Sequence, residues 1–269
     1  VANDSALEDF FTEEYRLNHL IFSYPKPYIA FMDGIVMGGG MGISQGASLR
    51  IVTERSKLAM PETNIGLFPD VGGGYFLSRC PGASGEYLAL TGQMMLGADA
   101  ITLELADKLV DSAYIGTLWD DLAADPSLSV ADRLSTLEER LEASTPVYHQ
   151  PIWMDSGIDS CFAKATVPEI VQALSDLDSD WAHDCLNTLR QRSPLMLSVV
   201  LEQIHRARHM TLANDLRMER DLVRHCFYTE HLDRSGHSSE TVEGIRALAI
   251  DKDHSPQWNP SRIEDITEE

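Results

Sequence analysis

Residues 37–42 read Met-Gly-Gly-Gly-Met-Gly, and residues 60–63 read Met-Pro-Glu-Thr. The first stretch is a glycine turn that can leave backbone N–H groups bare at the positive end of a helix. Two carboxylates, Glu62 and Asp70, stand eight positions apart in apolar surroundings, which favours a raised pKa for each. Bare N–H donors beside such carboxylates are the groups required to attack a carbonyl carbon. The pattern predicts an acyl-transfer site.

The segments around the glycine turn alternate between strand and helix. Apolar spacing predicts a helix over residues 9–22, and glycines 38–40 lead into a short helix of small residues through Ser44. Runs rich in β-branched and apolar residues predict strands at 28–32, 48–53 and 56–59. The order strand, glycine turn, helix, strand predicts an α/β fold.

The rest of the chain has mainly helical periodicity. The predicted helices cover residues 86–90, 98–109, 130–141, 167–174, 181–190, 194–208 and 213–227. We therefore expect a core over residues 1–115 and a mainly helical C-terminal region over residues 116–269.

Composition limits the classes of partner. The 269 residues are 43% hydrophobic, with 42 acidic against 21 basic side chains and a formal net charge of -21, which argues against nucleic acid or an anionic membrane. No apolar run is long enough for a membrane span. The four cysteines show no CxxC spacing and are expected to be reduced thiols. His205 and His209 lack an accompanying HExxH pattern, so we expect no metal site.

Residues 42–46, Gly-Ile-Ser-Gln-Gly, match the G-x-S-x-G pattern of a serine nucleophile. That pattern requires its serine on a sharp turn directly after a strand. Here the glycine turn comes first and Ser44 falls inside the predicted helix. We therefore expect Ser44 to be a small packing residue.

Several further stretches carry a family resemblance. They are Lys-Pro-Tyr-Ile-Ala at 26–30, Ala-Met-Pro-Glu-Thr at 59–63, the glycine-rich 66–77, Leu-Ala-Leu-Thr-Gly at 88–92 and the tail 250–258. With the glycine turn, they resemble the crotonase (enoyl-CoA hydratase/isomerase) superfamily, and within it the 3-hydroxyisobutyryl-CoA hydrolase branch. The resemblance covers nearly the whole chain. It implies a crotonase-like spiral of ββα units with a helical C-terminal region, binding an acyl-CoA.

The resemblance also implies a set of site residues. Gly39 matches the second backbone donor to the thioester oxygen, Glu62 the catalytic glutamate and Asp70 the additional acid of the hydrolase branch. Glu14 matches a position that contacts substrate. All four are expected to bind the acyl-CoA, and no cofactor is expected beyond the coenzyme A that belongs to the substrate.

Two positions separate hydrolysis from hydration. Hydratases of the superfamily carry a second glutamate where this chain has Gly42, and usually a glycine where it has Asp70. The expected reaction is hydrolysis of a short 3-hydroxyacyl-CoA thioester, above all 3-hydroxyisobutyryl-CoA to 3-hydroxyisobutyrate and CoA in valine catabolism. The alternatives are an enoyl-CoA hydratase/isomerase for another acyl-CoA, or a non-catalytic acyl-CoA-binding module.

The family's first backbone donor lies in an Ala-Phe-Cys-Ala-Gly-Gly-Asp type loop before the helix containing Phe10, and no such loop occurs here. We expect that donor, with part of the CoA pocket, in a segment absent from this sequence. The expected location is the cytoplasm of a bacterium or the mitochondrial matrix of a eukaryote. Whether a homo-oligomer forms stays open.

Overall fold

The computed structural model describes residues 5–124, 129–144, 157–228 and 238–266. Its strands are β1 (Ile29–Met32), β2 (Ile35–Met37), β3 (Leu49–Thr53), β4 (Lys57–Ala59), β5 (Met95–Leu96) and β6 (Lys108–Val110). Its helices are α1 (Ser5–Phe22), α2 (Gly39–Gln45), α3 (Gly73–Leu77), α4 (Ser84–Thr91), α5 (Gly97–Thr102), α6 (Ile115–Ala124), α7 (Val130–Ser144), α8 (Ile158–Phe162), α9 (Val167–Asp176), α10 (Asp180–Gln191), α11 (Pro194–Ala207), α12 (Leu212–Phe227) and α13 (Glu240–Ile245).

Within the described residues the strands form two small sheets. The first has the order β1-β3-β6 and is parallel, with Ile29 opposite Leu49 and Ile51 opposite Lys108. The second pairs β2 with β4 in parallel and β4 with β5 antiparallel. Parallel strands need a crossover connection, and β2 with α2 lies in the connection from β1 to β3. The glycine turn therefore lies in the crossover between two strands of the first sheet.

The α/β class is confirmed, and so are the strands predicted around the glycine turn, which correspond to β1, β3 and β4. The helix predicted over 98–109 is wrong in its second half, because α5 ends at Thr102 and residues 108–110 form β6. Leu109 and Val110 are buried there beside β3. Pairing with a distant strand overrides the local helical spacing.

The first sheet is covered on both faces, as a parallel sheet requires. Val52 and Leu109 point into the main core, which extends from α1 to the C-terminal helices. Ile51 and Val110 point the other way, into a smaller cluster with side chains of α6 and α7. The glycine turn itself follows β2 of the second sheet, and the Gly38 N–H bonds Ala59 O of β4.

The C-terminal helices close the main core over the glycine-rich loop that precedes α3. Helix α11 packs against α3 and α4, and α12 packs against α1, α3 and α13. Each begins with a side-chain cap: Ser193 Oγ accepts the Met196 N–H, and Thr211 Oγ1 accepts the Asn214 N–H. In the described part of the chain, no helix is both long and apolar enough to span a bilayer.

Candidate active site

The glycine turn lies against Glu62. Gly38 has φ 51°, in the region that favours glycine, and its N–H donates to Ala59 O at 3.2 Å. A Cβ atom placed on Gly38 would lie 3.0 Å from Glu62 Oε1. Gly39 is the first residue of α2, so its N–H has no acceptor within that helix. Backbone donor and carboxylate therefore lie side by side.

Glu62 begins a short 3₁₀ turn, Glu62–Ile65, directly after β4 and Pro61. The side chain is 9% exposed, and its Oε2 atom has no hydrogen-bond partner among the described residues. Burial raises the pKa of Glu62 to about 8, and the charge of Asp70 adds to the rise. At neutral pH the site therefore holds a carboxyl group that can both take up and release a proton.

The turn at Glu62 is held from the C-terminal end of the chain. Gly66 closes the turn with φ 61°, and Thr241 Oγ1 of α13 donates to Gly66 O at 2.7 Å. A Cβ atom on Gly244 would overlap Ile65 O. Helix α13 thus packs directly on the backbone that carries Glu62.

Asp70 lies in the loop before α3 and is 7% exposed. Burial raises its pKa to about 7, while the Tyr15 hydroxyl, which donates to Asp70 Oδ2 at 3.0 Å, opposes the rise. The charge of Glu14 raises the pKa further. Asp70 is therefore a second carboxyl group that titrates near neutral pH.

Glu14 lies on α1, is half-buried, and has a pKa raised by that burial. Its Oε1 atom would lie 3.4 Å from a Cβ atom placed on Gly39. The structure therefore brings Gly39, Glu14, Glu62 and Asp70 together, although they come from α2, α1, a turn and a loop.

Position 42 has no room for a side chain. A Cβ atom on Gly42 would lie 2.5 Å from Val71 Cβ and 2.9 Å from Asn18 Nδ2. Val71 itself has φ 53°, a costly conformation for a β-branched residue. A second carboxylate at position 42 would require the Asp70 loop to move.

Ser44 lies inside α2, as predicted, and is buried. Its Oγ donates to Gly40 O at 2.8 Å, a bond typical of a serine within a helix. Among the described residues, no group of three or more His, Cys, Asp or Glu side chains is arranged to hold a metal ion.

The sequence interpretation missed three polar groups that adjoin the site. Tyr15 was placed only within a predicted helix, yet its hydroxyl bonds Asp70 across 55 positions. Asp215 and Glu219 fall within the predicted helix 213–227 with no role assigned to them, yet both are fully buried. Their i, i+4 spacing beside the apolar residues of α12 is a signal that could have revealed them.

The model of the enoyl-CoA hydratase/isomerase family matches residues 1–269. The chain is 40% identical over 271 residues to 3-hydroxyisobutyryl-CoA hydrolase, mitochondrial, of Mus musculus, covering 100% of this chain and 68% of that protein. The Bos taurus protein of the same name is 41% identical over 270 residues, with 99% and 68% covered. The chain thus spans about two thirds of the length of these relatives.

Two solved structures share the fold. One is a carnitinyl-CoA dehydratase from Mycobacterium thermoresistibile, with TM-score 0.83 and 37% identity over 99% of this chain and 73% of that one. The other is an enoyl-CoA hydratase from Rhodobacter sphaeroides 2.4.1, with TM-score 0.79 and 35% identity over the same shares.

Proposed function

The chain belongs to the enoyl-CoA hydratase/isomerase family, and we propose that it hydrolyses a short 3-hydroxyacyl-CoA thioester, above all 3-hydroxyisobutyryl-CoA. One observation carries the proposal: buried Glu62, with an oxygen free of partners among the described residues, lies beside the glycine turn and the charge of Asp70. A thioester carbonyl bound between the glycine turn and Glu62 would contact both the Gly39 N–H donor and the Glu62 carboxylate.

The Gly39 N–H would donate a hydrogen bond to the thioester oxygen and so stabilise the negative charge that develops on it. Two routes then lead to the products. In one, a Glu62 oxygen attacks the carbonyl carbon, the C–S bond breaks, CoA leaves as the thiolate, and water cleaves the resulting mixed anhydride. In the other, Glu62 takes a proton from water, and the oxygen of that water attacks the same carbon. The C–S bond then breaks, and CoA leaves as the thiol with the proton that Glu62 took up. Both yield the acid and free CoA.

Asp70 would recognise the 3-hydroxyl group of the substrate or assist proton transfer. Its pKa of about 7 allows its carboxyl group to accept or donate a hydrogen bond at neutral pH. Glu14, beside Gly39, would contact the substrate on the opposite side of the turn. This arrangement favours an acyl group that carries a hydroxyl.

Position 42 favours hydrolysis over hydration. Water addition to a double bond uses two carboxylates to hold and deprotonate the water, and Val71 occupies the space where the second would begin. Relatives near 40% identity are described as 3-hydroxyisobutyryl-CoA hydrolases.

The same reaction here would belong to valine catabolism, and it uses no cofactor besides the CoA of the substrate. The corresponding locations are the mitochondrial matrix in a eukaryote and the cytoplasm in a bacterium.

The experiment follows free CoA release from 3-hydroxyisobutyryl-CoA, beside hydration of crotonyl-CoA, by the full-length protein. We expect rapid thiol release and little hydration. Glu62→Gln should lower thiol release by about 100- to 10,000-fold with the fold retained. Glu202→Gln, which changes an exposed glutamate of α11 paired with Arg206, is the matched control and should act as wild type.

Three outcomes would contradict the proposal. Near-normal turnover by Glu62→Gln removes Glu62 from the chemistry. Hydration without thiol release restores the hydratase alternative. Binding of acyl-CoA with neither reaction supports a non-catalytic module.

Two refinements follow once thiol release is established. In a single turnover in labelled water, heavy oxygen should appear in the Glu62 carboxyl group if an anhydride forms and water attacks its Glu62 carbonyl carbon, and absence of the label there counts against that route. The 3-hydroxypropionyl thioester lacks one methyl group, worth about 1–3 kcal/mol in discrimination. We expect the methylated substrate to react faster by a corresponding factor in kcat/KM.

A further inference from the structure

A second group of buried polar side chains lies behind the Asp70 loop. It consists of Gln203 of α11 with Asp215 and Glu219 of α12, and we call it the loop anchor. Gln203 is 2% exposed and both acids are 0% exposed. Buried carboxylates are costly unless hydrogen bonds compensate them, so their partners indicate what they stabilise.

The two acids of the loop anchor bind the backbone just after Asp70. Glu219 Oε2 accepts the Gly72 N–H at 2.8 Å, and Glu219 Oε1 accepts the Gly74 N–H at 3.1 Å. Asp215 Oδ2 accepts the Tyr75 N–H at 2.9 Å. These N–H groups belong to the start of α3, where no intrahelical acceptor exists. The acids therefore fix the C-terminal end of the Asp70 loop.

Gln203 holds the entrance of the same loop. Its Nε2 donates to Pro69 O at 2.7 Å, directly before Asp70, and lies 3.4 Å from Glu219 Oε1. Between the two attachment points stand Asp70 and the left-handed Val71. Backbone in such a conformation persists only when the surroundings enforce it.

The fit between loop and anchor is close. A Cβ atom on Gly74 would lie 2.5 Å from Asp215 Oδ1 and 3.1 Å from Gln203 Nε2. Burial raises the pKa of Glu219 well above its ordinary value, and the charges of Asp215 and Asp70 raise it further. The loop anchor is thus close enough to the site for the charge of Asp70 to affect the pKa of Glu219.

We propose that Gln203, Asp215 and Glu219 are positioning residues that hold Asp70 in its reactive place by clamping the loop on both sides of it. The inference rests on the proposed function for the chemical role of Asp70. The clamp itself rests on the hydrogen bonds of the loop. Helix α12, far from Asp70 in sequence, thereby takes part in the reaction without touching substrate.

The test uses Glu219→Gln and Gln203→Met in the full-length protein. Gln at position 219 offers one acceptor where two N–H groups need one each, and Met at 203 keeps the volume but removes the bond to Pro69. We expect kcat for thiol release to fall about 10- to 100-fold, as for a small misplacement of a catalytic group. KM should stay within about twofold. The control Asp221→Asn, on the exposed face of α12, should match wild type.

A second measurement is independent of the reaction. Amide hydrogen exchange should accelerate at residues 70–75 in both variants and stay unchanged at the Glu62 turn. Wild-type kcat with unchanged exchange in either folded variant overturns the proposal. A variant with lowered thermal stability but unchanged kcat also overturns it, because the role is then structural only. If Glu219→Gln does not fold, Gln203→Met decides, since it removes only the bond to Pro69 O and the longer one to Glu219 and leaves both acids in place. A wild-type protein that releases no thiol refutes the proposed function instead, and exchange alone then tests the clamp.

Discussion

Two pairs of buried carboxyl groups lie close together, and the pairs differ in how many of their oxygens accept hydrogen bonds. In the pair Asp215 and Glu219, three of the four oxygens accept backbone N–H groups, and Asp215 Oδ1 has no partner among the described residues. In the pair Glu62 and Asp70, Asp70 Oδ2 accepts the Tyr15 hydroxyl, while Glu62 Oε2 has no partner in the described part of the chain. Burial raises the pKa values of both pairs.

The difference teaches how burial alone should be interpreted. A buried carboxyl group whose oxygens are occupied by backbone donors serves the structure that supplies those donors. One left with a free oxygen is costly to the fold and available to a reactant. The comparison predicts that substitutions in the two pairs differ in the hydrogen bonds they remove: Glu219→Gln takes away an acceptor of a backbone N–H, whereas Glu62 Oε2 has no such bond to lose.

The largest expected contrast is between Glu219→Gln and Glu62→Gln. The first should lower the free energy of unfolding by about 1–3 kcal/mol, because one backbone N–H loses its acceptor. The second should gain stability relative to wild type as pH rises. The folded pKa of Glu62, about 8, exceeds its ordinary 4.5, so folding takes up a proton between these values. Wild-type stability therefore falls across this window, and Glu62→Gln removes that loss, by about 2–4 kcal/mol near its upper end.

Urea unfolding at a series of pH values between 5 and 8 measures both effects. A Glu62→Gln protein whose stability follows wild type at every pH would show that Glu62 is not a buried, destabilising acid. Equal losses in the two variants would erase the distinction between the pairs.

Gly74→Ala should disturb the pair Asp215 and Glu219 without disturbing the pair Glu62 and Asp70. The added methyl group would lie 2.5 Å from Asp215 Oδ1, so the acid or the loop must shift, at a cost of about 1–3 kcal/mol. Gly116→Ala is the matched control, because a Cβ atom at Gly116, within α6, meets nothing within 4 Å. The midpoint of thermal unfolding reports both. An equal response at the two glycines would contradict the close fit.

The pH profile of thiol release sharpens the description of the reactive pair. In both proposed routes Glu62 reacts as the carboxylate, so kcat should rise about tenfold per pH unit below an apparent pKa near 8. Since Glu62 and Asp70 interact, the apparent values belong to the pair. Asp70→Asn removes a charge that raises the pKa of Glu62. The rising limb of the remaining pH–activity profile should therefore move to lower pH. A flat profile would show that neither group titrates in the reaction.

Tyr15→Phe should have the smallest effect. It removes the donor that lowers the pKa of Asp70, so that pKa should rise and kcat should fall by about tenfold or less. Tyr114→Phe, at a half-exposed tyrosine near the start of α6, serves as control. Stopped assays across pH detect both changes. An unaltered profile would show that the hydroxyl does not tune Asp70.

The sequence allowed the strands beside the glycine turn to be predicted because each has its own local apolar pattern and turn residues. Gly39, Glu62 and Asp70 could be named as candidates because they belong to stretches whose residues are close in sequence, and their catalytic role stays a prediction. The loop anchor was not, because Glu219 meets its backbone partner Gly72 across 147 positions. Strand β6 was missed for the same reason: its identity depends on pairing with β3 rather than on its neighbours.

The packing of α13 on the Glu62 turn has a consequence for synthesis on the ribosome. The Thr241 hydroxyl reaches Gly66 across 175 positions, so the turn gains its support only after most of the chain has emerged. Contacts of such separation form late in folding. A nascent chain would carry Glu62, Asp70 and the glycine turn well before these residues are held in place. Enzyme activity would therefore appear only after α13 has left the ribosome, and a chain terminated before α13 would be inert toward thioesters.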